Sequence, residues 1–73
     1  MTPDTSTKYI ELNAFLKVVA KVAATGGQAK VIIRDGSVKV NGQIELRNKR
    51  KLHATDIVEH QGKQYIVTEE VTR

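Results

Sequence analysis

The side chains of this chain best suited to chemistry are cations at regular intervals. Lys17 and Lys21 stand four residues apart, as do Lys30 and Arg34, and four of the five residues from Arg47 to Lys51 are basic (Arg47, Lys49, Arg50 and Lys51). A spacing of four puts each pair on one side of a helix. Both pairs are offset from the neighbouring apolar positions, so burying the apolar faces leaves the cations outward and lets two basic stripes share one surface. Ordinary solvated helix residues follow the same spacing, which does not decide between the two. The Arg47–Lys51 cluster reads as a loop, because such a run self-repels unless it is solvated or meets an anion. Its arginines offer planar forks suited to phosphate oxygens and its lysines mobile point charges. The plainer account is a solvated loop that keeps a sheet edge from aggregating.

Gly26-Gly27 before a helix resembles an anion site, since free N–H groups and the helix dipole attract phosphate there. A tight inter-helix turn is the first role of such a pair. The stretch from Thr25 to Lys30 lacks the Gly-Lys-Ser/Thr ending of a P-loop, so nucleotide hydrolysis has no support. His53 and His60 lie near Asp56 and Glu59 without recognised ligand spacing and are read as exposed and structurally neutral, so no metal is expected. There is no cysteine, which removes thiolate metal sites, thiol nucleophiles and disulfides. No Ser/His/Asp or paired-carboxylate arrangement stands out. We therefore expect no enzyme, no cofactor and no small-molecule substrate.

The net charge of +4 conceals an asymmetry, because from Lys17 to Lys51 nine Lys/Arg face only Asp35 and Glu45. The ends carry three Lys/Arg against six Asp/Glu. A basic middle with acidic flanks suits a polyanion, whose condensed counterions are released when cations meet phosphates. Charge alone does not separate RNA, DNA and anionic lipid. Tyr9, Phe15 and Tyr65 are the only aromatics, and Phe15 falls on an apolar helix face, so base stacking on an aromatic sheet is not the expected mode. That favours structured RNA recognised by backbone geometry. The longest apolar stretch, Val18 to Ala24, is interrupted by Lys21 and too short to cross a bilayer, and the N-terminus lacks a signal pattern. A cytoplasmic protein is expected.

The elements that must position these cations follow from periodicity. Seventy-three residues suffice for one domain. Residues 1–8 read as a flexible lead-in, 9–67 as the folded unit and 68–73 as a short tail. Leu12, Phe15, Leu16, Val19, Val22 and Ala23 recur at helical spacing, with Asn13 as candidate N-cap and a stop at Thr25-Gly26-Gly27. A second, two-turn helix buries Ala29, Ile32 and Ile33 and ends at Gly36. Val38-Lys39-Val40 alternates as a strand, Asn41-Gly42 signals a hairpin, and Gln43 to Leu46 is the return. Asp56 to Glu59 and Gln64 to Val67 make two more strands around Gln61-Gly62. The fold class is α+β: two short helices on a small, mostly antiparallel sheet.

Leu12, Phe15-Leu16-Lys17, Gly26-Gly27-Gln28-Ala29-Lys30, Ile32-Ile33, Gly36, Val38-Lys39-Val40-Asn41-Gly42, Arg47, Lys51-Leu52 and Asp56-Ile57-Val58 together resemble the S4 RNA-binding domain. The likeness spans Tyr9 to Val67 and is strongest to stand-alone bacterial S4-like proteins. It implies the αL motif of two helices on a small sheet, shared with a small-subunit ribosomal protein, pseudouridine synthases, tyrosyl-tRNA synthetases and a heat-shock ribosome-binding protein. It implies that Lys17, Gln28, Lys30, Arg34, Lys39 and Asn41 lie near the RNA face, with Ala29, Ile32, Ile33 and Val40 in the core. The chain departs from many relatives in having Gly26-Gly27 for Ser-Arg, Thr55-Asp56 for Gly-Asp, and Asn48 where Gly is common. The expected function is non-catalytic binding of ribosomal or transfer RNA by a monomer, in ribosome assembly or translation, with the ribosomal particle as a further expected partner. The RNA-contacting set is Lys17, Lys21, Gly26, Gly27, Gln28, Lys30, Arg34, Lys39, Asn41, Arg47, Lys49, Arg50 and Lys51. A small adaptor docking an acidic protein partner is the alternative; DNA is weaker, because no long recognition helix is evident.

Overall fold

The computed structural model describes residues 8–72; most of the expected lead-in, residues 1–7, and Arg73 lie outside them. The order is β1 (Ile10–Glu11), α1 (Leu12–Val18), α2 (Gly26–Arg34), β2 (Val38–Val40), β3 (Gln43–Ile44), β4 (Lys51–Leu52), β5 (Ile57–His60) and β6 (Lys63–Ile66), then a 3-10 turn at Glu69–Val71. Strands β3-β2-β5-β6 form one antiparallel sheet, and β1-β4 form a separate antiparallel pair. The α+β expectation holds. The β1-β4 pair has no signature in the periodicity, because two residues per strand are too few to alternate visibly.

Helix α1 is shorter than its apolar spacing predicts. It ends at Val18, and Lys21 takes a left-handed φ of 57°. The N–H of Val22 then folds back onto the Leu16 carbonyl at 3.0 Å, satisfying a carbonyl that the helix end leaves open. The β-branched pair Val18-Val19 weakens helix propagation at that point. The apolar pattern still reports burial: Ala23 is buried and Val19, Ala20 and Val22 pack against the core from irregular chain. Lys17 and Lys21 are therefore not a pair on one helix face, which corrects the sequence-based reading. Asn13 is not the N-cap either; Glu11 holds that position without a side-chain bond, and Asn13 lies inside the helix.

The entry to α2 is built differently from the glycine turn that the sequence suggests. Thr25 is the N-cap, its Oγ1 accepting from the Gln28 N–H at 3.1 Å, while Gln28 Oε1 accepts from the Ala24 N–H at 2.7 Å. This is a capping box displaced by one residue. Gly26 and Gly27 are the first helical residues and neither has a positive φ. A Cβ on Gly26 would meet nothing within 4 Å. The backbone does not demand glycine here, and the pair leaves the first turn bare. At the other end Gly36 has φ 81°, the left-handed stop expected of it.

Alternation orients the sheet. Val38, Val40 and Val58 face the helices, with Leu12, Phe15, Leu16, Ala29, Ile33, Leu52 and Val67 completing the buried core. Phe15, Leu12 and Leu16 are fully buried, each removal from water worth about 1.5–3 kcal/mol. The register that pairs Val38 with His60 puts His60 on this inner face, where it is buried; the expectation of an exposed His60 is corrected, whereas His53 is exposed. Ile32 is half-buried. Both hairpins turn on two positive φ values, Asn41-Gly42 at 54° and 86° and Gln61-Gly62 at 52° and 81°, as a right-twisted ribbon requires. The return strand β3 stops at Ile44, and Glu45 turns inward. After β6, Val71 packs against the core and Thr72 is buried.

One turn carries strain. The Asp56 N–H donates to the His53 carbonyl at 3.0 Å, and Thr55, third in that turn, has φ 77°. That position in a type II turn favours glycine, and a β-branched residue there is an outlier. Replacing Thr55 with glycine is expected to stabilise the fold by about 1 kcal/mol, the relieved strain exceeding the added chain entropy. Thermal melts should show a rise of several degrees, whereas Thr55→Ala, which keeps the Cβ, should not match it.

Candidate nucleic-acid interface

The basic loop is fastened to the start of α1 through its own backbone. The first donors of any helix lack partners within it. Here the Leu12 N–H donates to the Arg50 carbonyl at 2.9 Å and the Asn13 N–H to the Asn48 carbonyl at 3.0 Å. The register pairing Ile10 with Leu52 and Glu11 with Lys51 leads into these contacts, so the β1-β4 ladder runs directly into the helix cap. With the Asn48 and Arg50 carbonyls turned to the helix, Arg47, Lys49 and Lys51 are exposed and Arg50 is partly so. Arg47, Lys49, Arg50 and Lys51 line an open depression of roughly 620 Å³.

Two of those cations share one anion. Glu45 is buried, at 7% exposure. Its Oε2 accepts from Arg47 Nε at 2.9 Å and from the Arg47 backbone N–H at 3.0 Å, and its Oε1 accepts from Arg50 Nη1 at 2.6 Å and from Arg47 Nη2 at 3.3 Å. Hydrogen bonding from Arg47 is the chief reason its carboxyl is held down at about 2; burial opposes the shift, and Arg50 adds to it. The same contact raises the Arg47 guanidinium. Among the described residues both ion pairs end on Glu45. Lys51 instead sits over the ring of Tyr9, with Nζ 5.0 Å from the ring centre, a cation–π geometry.

The other predicted site residues fall into distinct places. Lys30 and Arg34 are exposed on α2, one turn apart and on the same side as Gly27. Lys17 is exposed in the last turn of α1, and Lys21 is exposed on the irregular segment beyond it. Helices α1 and α2 pack on each other, so these cations belong to the helical layer. Lys39 does not: alternation in β2 turns it to the outer face, opposite Ile44 and Glu59, on the side of the sheet away from the helices. The side chain of Asn41 is committed internally, donating to Asp56 Oδ1 at 3.2 Å and accepting from the Ile57 N–H at 2.9 Å. Gln28 is committed likewise to the α2 cap.

Sequence reasoning passed over Glu45 and Tyr9. A signal for Glu45 existed: it is one of two acids in the basic middle of the chain, two residues before Arg47 and five before Arg50. Among the described residues no group of three or more His, Cys, Asp or Glu is arranged to hold a metal ion, and no helix is long and apolar enough to cross a membrane.

The depressed Glu45 carboxyl makes stability depend on acid. A group whose folded pKa lies below its unfolded value contributes stability above the unfolded pKa and loses it as pH falls through the folded one. The contribution of Glu45 is thus complete above about pH 4.5 and lost as pH falls towards about 2, amounting to at most about 3 kcal/mol. Denaturant titrations from pH 6 to 2 are expected to show this decline, and Glu45→Gln should flatten it.

A family model described as the S4 domain matches residues 4–68. The chain is also 41% identical over 56 residues to a probable ribosome maturation protein, RlbA, of Bacillus subtilis (strain 168), an alignment covering 77% of this chain and 78% of that protein. The capped loop, the helix pair on an antiparallel sheet and these two matches agree, and the chain belongs to the S4 domain family.

Proposed function

We propose that this chain binds structured RNA without catalysing a reaction, and that it does so in ribosome assembly or translation in the cytoplasm. The observation that carries the reading is the depression formed by Arg47, Lys49, Arg50 and Lys51, held on the start of α1 by backbone hydrogen bonds. An anchored concave cluster of cations can follow a curved phosphate backbone, whereas an untethered run would lose more entropy on binding. Lys30 and Arg34 on α2, with Lys17 and Lys21 beside the helix pair, extend the positive surface. The bare first turn at Gly26-Gly27 adds room for one phosphate near the N-terminus of α2.

The name of the Bacillus subtilis relative, a probable ribosome maturation protein, makes ribosomal RNA the first ligand to test and transfer RNA the second. Lys39, Asn41 and Gln28 take a smaller part than the family pattern implies, Lys39 because it faces the other side of the sheet and the two amides because their side chains are already bonded. The unit that binds is residues 9–67, acting as a monomer.

Binding of deproteinised bacterial ribosomal RNA, followed by fluorescence anisotropy across a salt series, tests this. Affinity should fall steeply with salt. Lys30→Gln and Arg34→Gln should each weaken binding and reduce the salt slope by about one, and neutralising Lys49 should do the same for the loop. Unchanged affinity and slope in all three variants would remove the interface from these positions. A preference for duplex DNA over structured RNA in direct competition would remove RNA as the ligand.

A further inference from the structure

We propose that Glu45 is a positioning residue for RNA binding: its buried carboxylate holds Arg47 and Arg50 in the geometry that phosphates meet, so removing this negative charge weakens RNA binding. The inference rests on the RNA-binding reading of the loop. Simple charge counting has the opposite sign, because an acid beneath a basic depression should repel phosphate. Magnitudes decide between them. Across one guanidinium, on the order of 7 Å, the screened repulsion from one carboxylate changes affinity by under about twofold at the dielectric of water and by up to about eightfold at the effective dielectric of about 20 found near a protein surface. Immobilising a long side chain on binding costs about two- to tenfold in affinity, and two arginines are involved. Together the two arginines contribute about four- to a hundredfold, the larger of the two effects.

The hydrogen bonds show how both guanidinium groups are held while keeping donors free. Arg47 engages Glu45 through Nε and Nη2, and Arg50 through Nη1 alone. A guanidinium carries five N–H donors, so Arg47 retains three and Arg50 four for an outside acceptor. The Arg47 side chain is 73% exposed and that of Arg50 30%, so both remain accessible while Glu45 fixes their bases. The loop backbone has separate support, since the Asn48 and Arg50 carbonyls are bound by the first donors of α1. Glu45 Oε2 also accepts from the Arg47 backbone N–H at 3.0 Å, a bond that the amide oxygen of a glutamine can still accept, so Glu45→Gln frees the two guanidinium groups while the loop path is kept.

The test compares the wild-type chain with Glu45→Gln and Arg47→Lys on deproteinised ribosomal RNA, over a salt series and below the melting transition of each protein. Glu45→Gln is expected to bind three- to tenfold more weakly with an unchanged salt slope, because the cations are still present but no longer ordered. The Arg47 side-chain Nε–H resonance should be slowly exchanging in the wild type and rapidly exchanging in Glu45→Gln, with backbone amide positions outside the loop retained; global destabilisation alone would not give that pattern. Equal or tighter binding by Glu45→Gln overturns the proposal. If Glu45→Gln does not fold, Arg47→Lys decides: it keeps the charge and loses the fork, so a loss of about threefold or more supports the proposal and unchanged affinity overturns it. Failure of the wild-type chain to bind ribosomal RNA would instead overturn the RNA-binding reading itself, and this inference with it.

Discussion

A seven-residue helix cannot hold itself together in water, and α1 is that short. Its start is completed by a segment nearly forty residues later, where the Asn48 and Arg50 carbonyls take the Asn13 and Leu12 donors. Much of the molecule follows from that exchange. It closes the β1-β4 pair, sets Leu52 opposite Ile10 and in the same core as Leu12, and fixes the most cationic stretch of the chain against its first helix. The contact that stabilises α1 is also the one that gives the cations an address. A small domain without disulfides gains from such double use, because its core is small.

The loop then has an electrostatic problem of its own. Four cations in five positions repel one another, and the inward carbonyls do nothing for the side chains. Glu45 answers this from below, with one carboxylate bonded to two guanidinium groups and to a backbone N–H. A buried ion is costly unless its lone pairs are filled, and here four donor contacts fill them. The arrangement is asymmetric: Arg47 and Arg50 are tied, Lys51 lies over Tyr9 and Lys49 is free of any acidic partner among the described residues. Ordered forks and a mobile ammonium then share one depression.

Local features with a strong physical signature were legible in the sequence. Asn41-Gly42 and Gly36 could be read because a positive φ selects few residues, and the β2 alternation because one face is buried. The α1 boundary was not legible, since Val19, Val22 and Ala23 keep helical spacing yet pack from irregular chain; periodicity reports which side is buried, and only backbone energetics decides whether a helix persists. The α2 entry was not legible from Gly26-Gly27, because the turn is made by the side chains of Thr25 and Gln28 and neither glycine takes a positive φ. For the site, residue types and the loop as far as Arg50 were legible, but Lys51 belongs to β4 rather than to the loop, and the separation of Lys39 from the helical cations required knowing which face of β2 the helices cover. The Glu45 clamp depends on a return strand that breaks after two residues, which no alternation pattern announces.

The departures from the family pattern divide on physical grounds. Thr55 occupies a left-handed position that glycine fits better, so that change carries strain and leaves the cations where they are. Asn48 needs no positive φ, and its carbonyl performs the capping contact; its own Oδ1 is buried without a hydrogen-bond partner, a local cost of a polar side chain at this place. Gly26-Gly27 is the reverse case: the backbone does not require it, and alanine would make a better first turn. Strain at Thr55, an unsatisfied amide at Asn48 and an under-stabilised entry to α2 all lie on turns or at element ends, leaving the buried core and the Glu45 clamp intact. The fold therefore accommodates variation around the cations more readily than in what holds them, because the holding contacts are backbone carbonyls, which any residue supplies, and one carboxylate, which few can replace.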